Sequence, residues 1–153
     1  MNEQLKQYKE SLAIVDKMED ELYNMVAFLF KNVSINSKYY INSNKYFERL
    51  TYKGDTQTST LRVSYWSCGE EEYEDYEVPN TILEKYFDGK KDEAKTEFVQ
   101  FLKDDAQRRE NDHLKWLEEQ KEKAKIREQE LAKQQEIDER KLYEKLKQKY
   151  GEN

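Results

Sequence analysis

Cysteine, histidine and proline each occur once in this chain of 153 residues, and glycine only four times. A single cysteine, Cys68, excludes an internal disulfide, and no Cys/His spacing of the zinc-binding kind is present. No glycine-rich phosphate loop and no nucleophile elbow occurs, so the usual signatures of phosphoryl transfer and serine hydrolysis are missing. The lone His113 lies far along the sequence from Cys68, and a Cys/His pair would need the chain folded back on itself. These absences read as a non-enzyme with no catalytic residue, no metal and no cofactor. Long apolar runs are missing as well. Leu22 to Phe30 is far too short to span a bilayer and follows Glu19, Asp20 and Glu21. Nothing at the N-terminus resembles a secretion signal, so the expectation is a soluble cytoplasmic protein with no membrane contact.

What is present is charge: 39% of residues are Asp, Glu, Lys or Arg, and the net charge is −6. The run Asp92 to Tyr150 contains neither proline nor glycine and is rich in Glu, Lys, Gln, Arg, Leu and Ala. Those side chains lose little rotamer freedom in a helix, so one helix on the order of 85 Å long is expected. Residues 104–150 carry 13 acidic and 13 basic side chains, which places the net negative charge in residues 1–103. The expected organisation is therefore a compact acidic α+β body over 1–103 and an extended charged helix over 104–153. No basic stripe of the kind that neutralises phosphates is visible, and direct nucleic-acid binding is not expected.

The apolar residues of that helix form a thin stripe. Leu102, Ala106, His113, Leu117, Ala124, Leu131, Leu142 and Leu146 fall at nearly one angle, too narrow for a core face. The pairs Asp104/Arg108, Asp105/Arg109, Glu119/Lys123 and Glu136/Arg140 stand in the favourable i,i+4 order, each adding about 0.2–0.5 kcal/mol. Either the helix stands solvated, or two copies pair through a seam of Leu117, Leu131, Leu142 and Leu146 with His113 between them, giving a homodimer.

The rest of the chain reads as an N-terminal amphipathic helix, a three- to four-stranded antiparallel meander and a short helix. Leu5, Tyr8, Leu12, Val15, Leu22, Val26 and Leu29 recur at spacings that keep one face within Glu3 to Lys31, with Glu19 the one charge on the seam. Turn-type Asn and Ser residues fill Asn32 to Asn44, where Lys38 to Ile41 offers a fourth strand. Strands follow at Lys45 to Lys53, Thr58 to Cys68 and Glu72 to Val78, joined by turns at Gly54-Asp55 and Cys68-Gly69. Leu50, Tyr52, Leu61, Val63, Tyr65, Tyr76 and Val78 should share the buried face. Pro79 ends the sheet and Asn80 should cap a helix, Thr81 to Phe87, with Ile82, Leu83, Tyr86 and Phe87 inward. Phe98, Val99, Phe101 and Leu102 should close over the sheet.

Two local anomalies suggest a binding surface. Glu70, Glu71, Glu72, Glu74, Asp75 and Glu77 put six acids in eight positions. Alternation sets Glu72, Glu74 and Tyr76 on one side and Tyr73, Asp75 and Glu77 on the other. Such a cluster protects a sheet edge, holds a cation, or docks on Lys and Arg of a partner; the spacing is not that of a calcium loop. The second anomaly is aromatic, with twelve tyrosines in the chain and Trp66 on the parity opposite to Tyr65. Exposed Trp66 and Tyr73 beside the acids would anchor a protein partner that presents a basic surface. Arg49 and Arg62 beside the same rings would alternatively serve a nucleotide-sequestering role.

The order of these features resembles small phage and prophage proteins of low-GC Gram-positive bacteria. The resemblance rests on the tyrosine-rich meander, Tyr76-Glu77-Val78-Pro79, the stretch Ile82 to Gly89, and the helix ending Leu142-Tyr143-Glu144-Lys145-Leu146-Lys147-Gln148-Lys149-Tyr150-Gly151. It implies a binding inhibitor of host defence, of the anti-CRISPR kind, working in the cytoplasm of an infected or lysogenic cell against a host protein or ribonucleoprotein. The alternative expectation is a structural or scaffolding protein that assembles through the long helix.

Overall fold

The computed structural model describes residues 2–151 and has the expected α+β layout. Its elements are α1 (Glu3–Leu29), β1 (Tyr46–Thr51), β2 (Thr58–Ser67), β3 (Glu70–Pro79), α2 (Asn80–Phe87) and α3 (Lys91–Tyr150). The strands form one antiparallel sheet in the order β1-β2-β3. Two compact units divide the chain, one ending at Gln107 and the other beginning at Arg108.

In the first unit, one hydrophobic cluster joins the sheet to all three helices. Met25, Val26 and Leu29 come from α1, Leu61, Val63, Tyr76 and Val78 from the strands, Ile82, Leu83 and Tyr86 from α2, and Ala94, Phe98, Leu102 and Ala106 from α3. The four from α3 repeat every fourth residue, which keeps one helical face on the core. Phe30 links α3 to the sheet, its ring edge-on to Phe98 at 4.9 Å and tilted against Tyr76 at 5.9 Å.

The β2–β3 pairing is regular from Thr58↔Pro79 to Ser67↔Glu70. Its two-residue turn places Cys68 and Gly69 both at positive φ, 52° and 83°. That is the combination that matches the right-handed twist of a hairpin, and Gly69 enters it at no steric cost. Between α2 and α3, Gly89 at φ 86° ends the first helix, and the Lys90 amide donates back to the Lys85 carbonyl at 2.9 Å.

Several expectations are corrected. The sheet has three strands, and 38–41 is turn and coil. There the Asn42 side chain takes the place of a strand neighbour, accepting from the Ile35 amide and donating to the Ile35 carbonyl, both at 3.0 Å. Strict alternation fails in β1, where the register shifts between Phe47 and Arg49. The bulge at Glu48 lets Phe47 pair with Val63 and Leu50 with Leu61, so residues three apart share the inner face. Phe47 is therefore buried, while Tyr52 lies past the strand end and is exposed.

Asn80 is not a side-chain cap. It is buried, accepts from Ser59 Oγ at 2.5 Å and donates to the carbonyls of Lys53 and Thr56 at 3.1 and 2.8 Å. Its amide thus ties the β1–β2 loop to the start of α2. Phe87 is exposed, whereas Ile82, Leu83 and Tyr86 are buried as expected. Val99 and Phe101 are only half-buried.

The first half of α1 leaves the core altogether, with Leu5, Tyr8, Leu12, Val15 and Met18 exposed. In the second unit α3 continues through Tyr150, and its residues from 121 on are all exposed. Acidic Asp92 and Glu93 open the helix and Lys147 and Lys149 close it, in the sense that suits the helix dipole. Glu136 and Arg140 form the expected i,i+4 pair at 2.7 Å.

Candidate functional site: the outer face of the sheet and its hairpin tip

The strand pleat sorts the hairpin acids onto two faces, as the alternation requires. On the inner face Glu74 sits opposite Val63 and Glu72 opposite Tyr65. Glu74 binds Lys45 Nζ at 2.9 Å and accepts from the Tyr76 hydroxyl at 2.7 Å. The Lys45 side chain is fully buried, with its ammonium 4.2 Å from the centre of the Tyr65 ring and 5.5 Å from that of Tyr40. A cation held by one carboxylate and two aromatic faces can stay charged inside a protein, since each neighbour replaces part of its hydration.

Burial, with the Glu74 charge nearby, pushes the Tyr40 phenol up to about 12. Tyr65 is also pushed up to about 12, first by burial and then by its hydrogen bond to Glu72 at 2.9 Å. This cluster closes the end of the core and is a structural ion pair. Sequence reasoning missed it, because Lys45 lies just before a strand and shows no pattern of its own.

On the outer face the register aligns Tyr46, Ser64 and Tyr73 in one row and Trp66 beside Glu71 in the next. Trp66 is 63% exposed, Tyr73 54% and Tyr46 52%, while Ser64 between the two tyrosines is buried. Below them, Arg62 grips Asp75 through two bonds, Nε to Oδ1 at 2.8 Å and a terminal nitrogen to Oδ2 at 2.9 Å. This bond holds the Asp75 carboxyl below its ordinary value and the Arg62 guanidinium above. Glu77 is lowered chiefly by the hydrogen bond from Thr60 at 2.6 Å, with Lys53 and Thr58 adding to it.

The six acids are therefore not one patch. Glu74 belongs to the core, Asp75 and Glu77 are held by neighbours in the sheet, and Glu70, Glu71 and Glu72 remain together at the exposed tip. Tyr73 donates to Glu71 at 3.3 Å, and its phenol is raised mainly by the Glu71 charge. The tip thus gathers Trp66, Tyr73, Glu70, Glu71 and Glu72, to which the outer row adds Tyr46.

Arg49 and Arg62 face each other across β1 and β2 as the nucleotide reading needs. The Asp75 bond, however, already neutralises Arg62, which removes one of the two charges offered to phosphate. Among the described residues no group of three His, Cys, Asp or Glu side chains is arranged to hold a metal ion. Cys68 is exposed in the turn of the first unit, and His113 lies in the second, its ring stacked with Trp116 at 5.8 Å. In that second unit Leu117, Leu131, Leu142 and Leu146 are all exposed. No described helix is long and apolar enough to cross a membrane.

Comparison of the chain with protein families, curated proteins and solved structures finds no match in any of the three.

Proposed function

We propose that this chain is a non-enzymatic protein-binding module that docks against a basic protein surface through the outer face and tip of its sheet. The observation that carries the reading is the exposure of Trp66 on a regular, well-supported strand, one row from Tyr46 and Tyr73 and opposite Glu71, at a tip that also exposes Glu70 and Glu72. Rigid aromatic rings lose little entropy when covered and dominate the binding energy of protein interfaces. Carboxylates at the rim select a cationic partner and speed the encounter. Taken with the resemblance to phage proteins, this becomes an inhibitor of a host defence or nucleic-acid-handling complex, of the anti-CRISPR kind, acting in the cytoplasm of an infected cell. The basic groove such a complex uses for nucleic acid is the surface this acidic tip would cover.

The test is affinity capture from a lysate of a low-GC Gram-positive host, comparing the wild-type chain with Glu70→Lys/Glu71→Lys/Glu72→Lys. Capture of one basic protein or ribonucleoprotein by the wild type and its loss in the variant are expected. Equal capture by both would remove the tip from the interface. A second reading, assembly through α3, is favoured by the exposed Leu117, Leu131, Leu142 and Leu146 and predicts oligomers that Leu117→Lys/Leu131→Lys/Leu142→Lys disperses.

A further inference from the structure

Leu5, Tyr8, Leu12 and Val15 form a continuous stripe on α1, and all four are exposed. The same stripe continues to Val26 and Leu29, which are completely buried in the core. The spacing alternates between three and four residues along the whole length, so one seam passes from a covered half to an uncovered one. An apolar stripe of this length on a soluble surface marks an interface. We infer that the first half of α1 pairs antiparallel with the same segment of a second copy of this chain.

Three features select the second copy and the direction. The seam holds one charge, Glu19. A parallel pair in register would set Glu19 against the second copy's Glu19, a like-charge contact in the middle of the seam. The antiparallel pair that places Leu12 against the second copy's Val15 instead sets Glu19 opposite its Tyr8, whose hydroxyl can donate to the carboxylate.

Charges beside the seam agree. Lys9 and Asp16 occupy the same heptad position, and like positions face each other only in an antiparallel pair. Each Lys9 then meets the other copy's Asp16, and the contact forms twice about the two-fold axis. In a parallel pair their neighbours would be Gln4 and Ser11.

The far end of the seam supplies a seat. The register brings the second copy's Leu5 to Leu22, at the mouth of a groove of about 600 Å³ lined by Met18, Leu22, Leu50, Tyr52, Leu83 and Phe87. The groove rim carries Glu84 and Asp88, and the arriving segment carries Lys6. The half-covered Leu22 and the exposed Tyr52 and Phe87 thus gain an apolar partner from each copy.

Sedimentation equilibrium on the full chain tests the pairing. The expected mass is twice that of one chain. Leu12→Lys/Val15→Lys should halve it with an unchanged helical circular dichroism spectrum, since neither side chain contributes to the core of its own chain. Lys9→Asp should raise the dissociation constant at least tenfold, and Lys9→Asp/Asp16→Lys should restore it. A monomeric wild type would overturn the proposal, as would a dimer that survives Leu12→Lys/Val15→Lys. So would a dimer lost on Leu117→Lys/Leu131→Lys/Leu142→Lys but kept in the α1 variant, which would place the contact on α3. Direction is read by oxidation in a Cys68→Ser background. Leu5→Cys mixed with Leu22→Cys should cross-link between the two variants, whereas cross-linking of each variant with itself would contradict the antiparallel arrangement.

Discussion

Lys45 shows how much a single side chain contributes when it is placed inside. Its ammonium has no exposed surface and is 2.9 Å from Glu74, itself only 12% exposed. Removing one member leaves the other charged and poorly solvated, which costs about 3–5 kcal/mol in buried pairs, whereas replacing both by apolar groups costs far less. Lys45→Met and Glu74→Leu should therefore each lower the urea midpoint strongly, and the double variant should lie well above the sum of the two losses. Additive losses in urea unfolding would mean that the pair is not coupled and that the two tyrosine rings alone hold the lysine. Asn80 makes a related point. Its position after Pro79 looks like a helix cap, but its amide has three partners in the β1–β2 loop and at Ser59, and such tertiary contacts cannot be read from neighbours in sequence.

Among the elements, the order of helices and strands was legible because the hydrophobic period changes from 3.6 to 2 and back at recognisable turns. The inner parity of Leu61, Val63, Tyr76 and Val78 was legible for the same reason, and so was the split of the acids between two faces. The bulge at Glu48 was not, since one extra residue reverses parity with no compositional sign; it put Phe47 in the core, whereas Tyr52 is exposed because the strand ends at Thr51. The site was half legible. Trp66 and Tyr73 could be placed outward by alternation, but the capture of Glu74 by Lys45 on the inner face and of Asp75 by Arg62 on the outer face depends on partners distant in sequence. The β2–β3 turn offers a clean test at this scale. Cys68 holds φ 52°, a conformation that costs a non-glycine residue on the order of 1–2 kcal/mol and that asparagine tolerates better. Cys68→Asn should raise stability by roughly half to one kcal/mol in thermal unfolding without moving the strands. A destabilised variant would show that the cysteine makes a contact worth more than the strain it carries.

At the scale of the whole molecule, the two units are built on different physics. Among the described residues, the first unit has a buried cluster of 18 that draws on every helix and strand, which is what fixes the outer face of the sheet as a stable platform. The second is a helix held by its own propensity and by pairs such as Glu136/Arg140, because its leucines stay exposed and join no core cluster in a single chain. A binding surface belongs on the rigid unit, and the aromatic row there is the feature that core packing does not account for. The most direct measurement is calorimetric titration of the captured basic partner with the wild-type chain and with Trp66→Ala. Trp66 is 63% exposed and is not part of the core cluster, so the variant should fold normally, while its affinity should fall by about 2 kcal/mol or more, roughly thirtyfold. An affinity unchanged within about twofold, with the fold intact, would contradict the claim that the outer face of the sheet is where this protein binds.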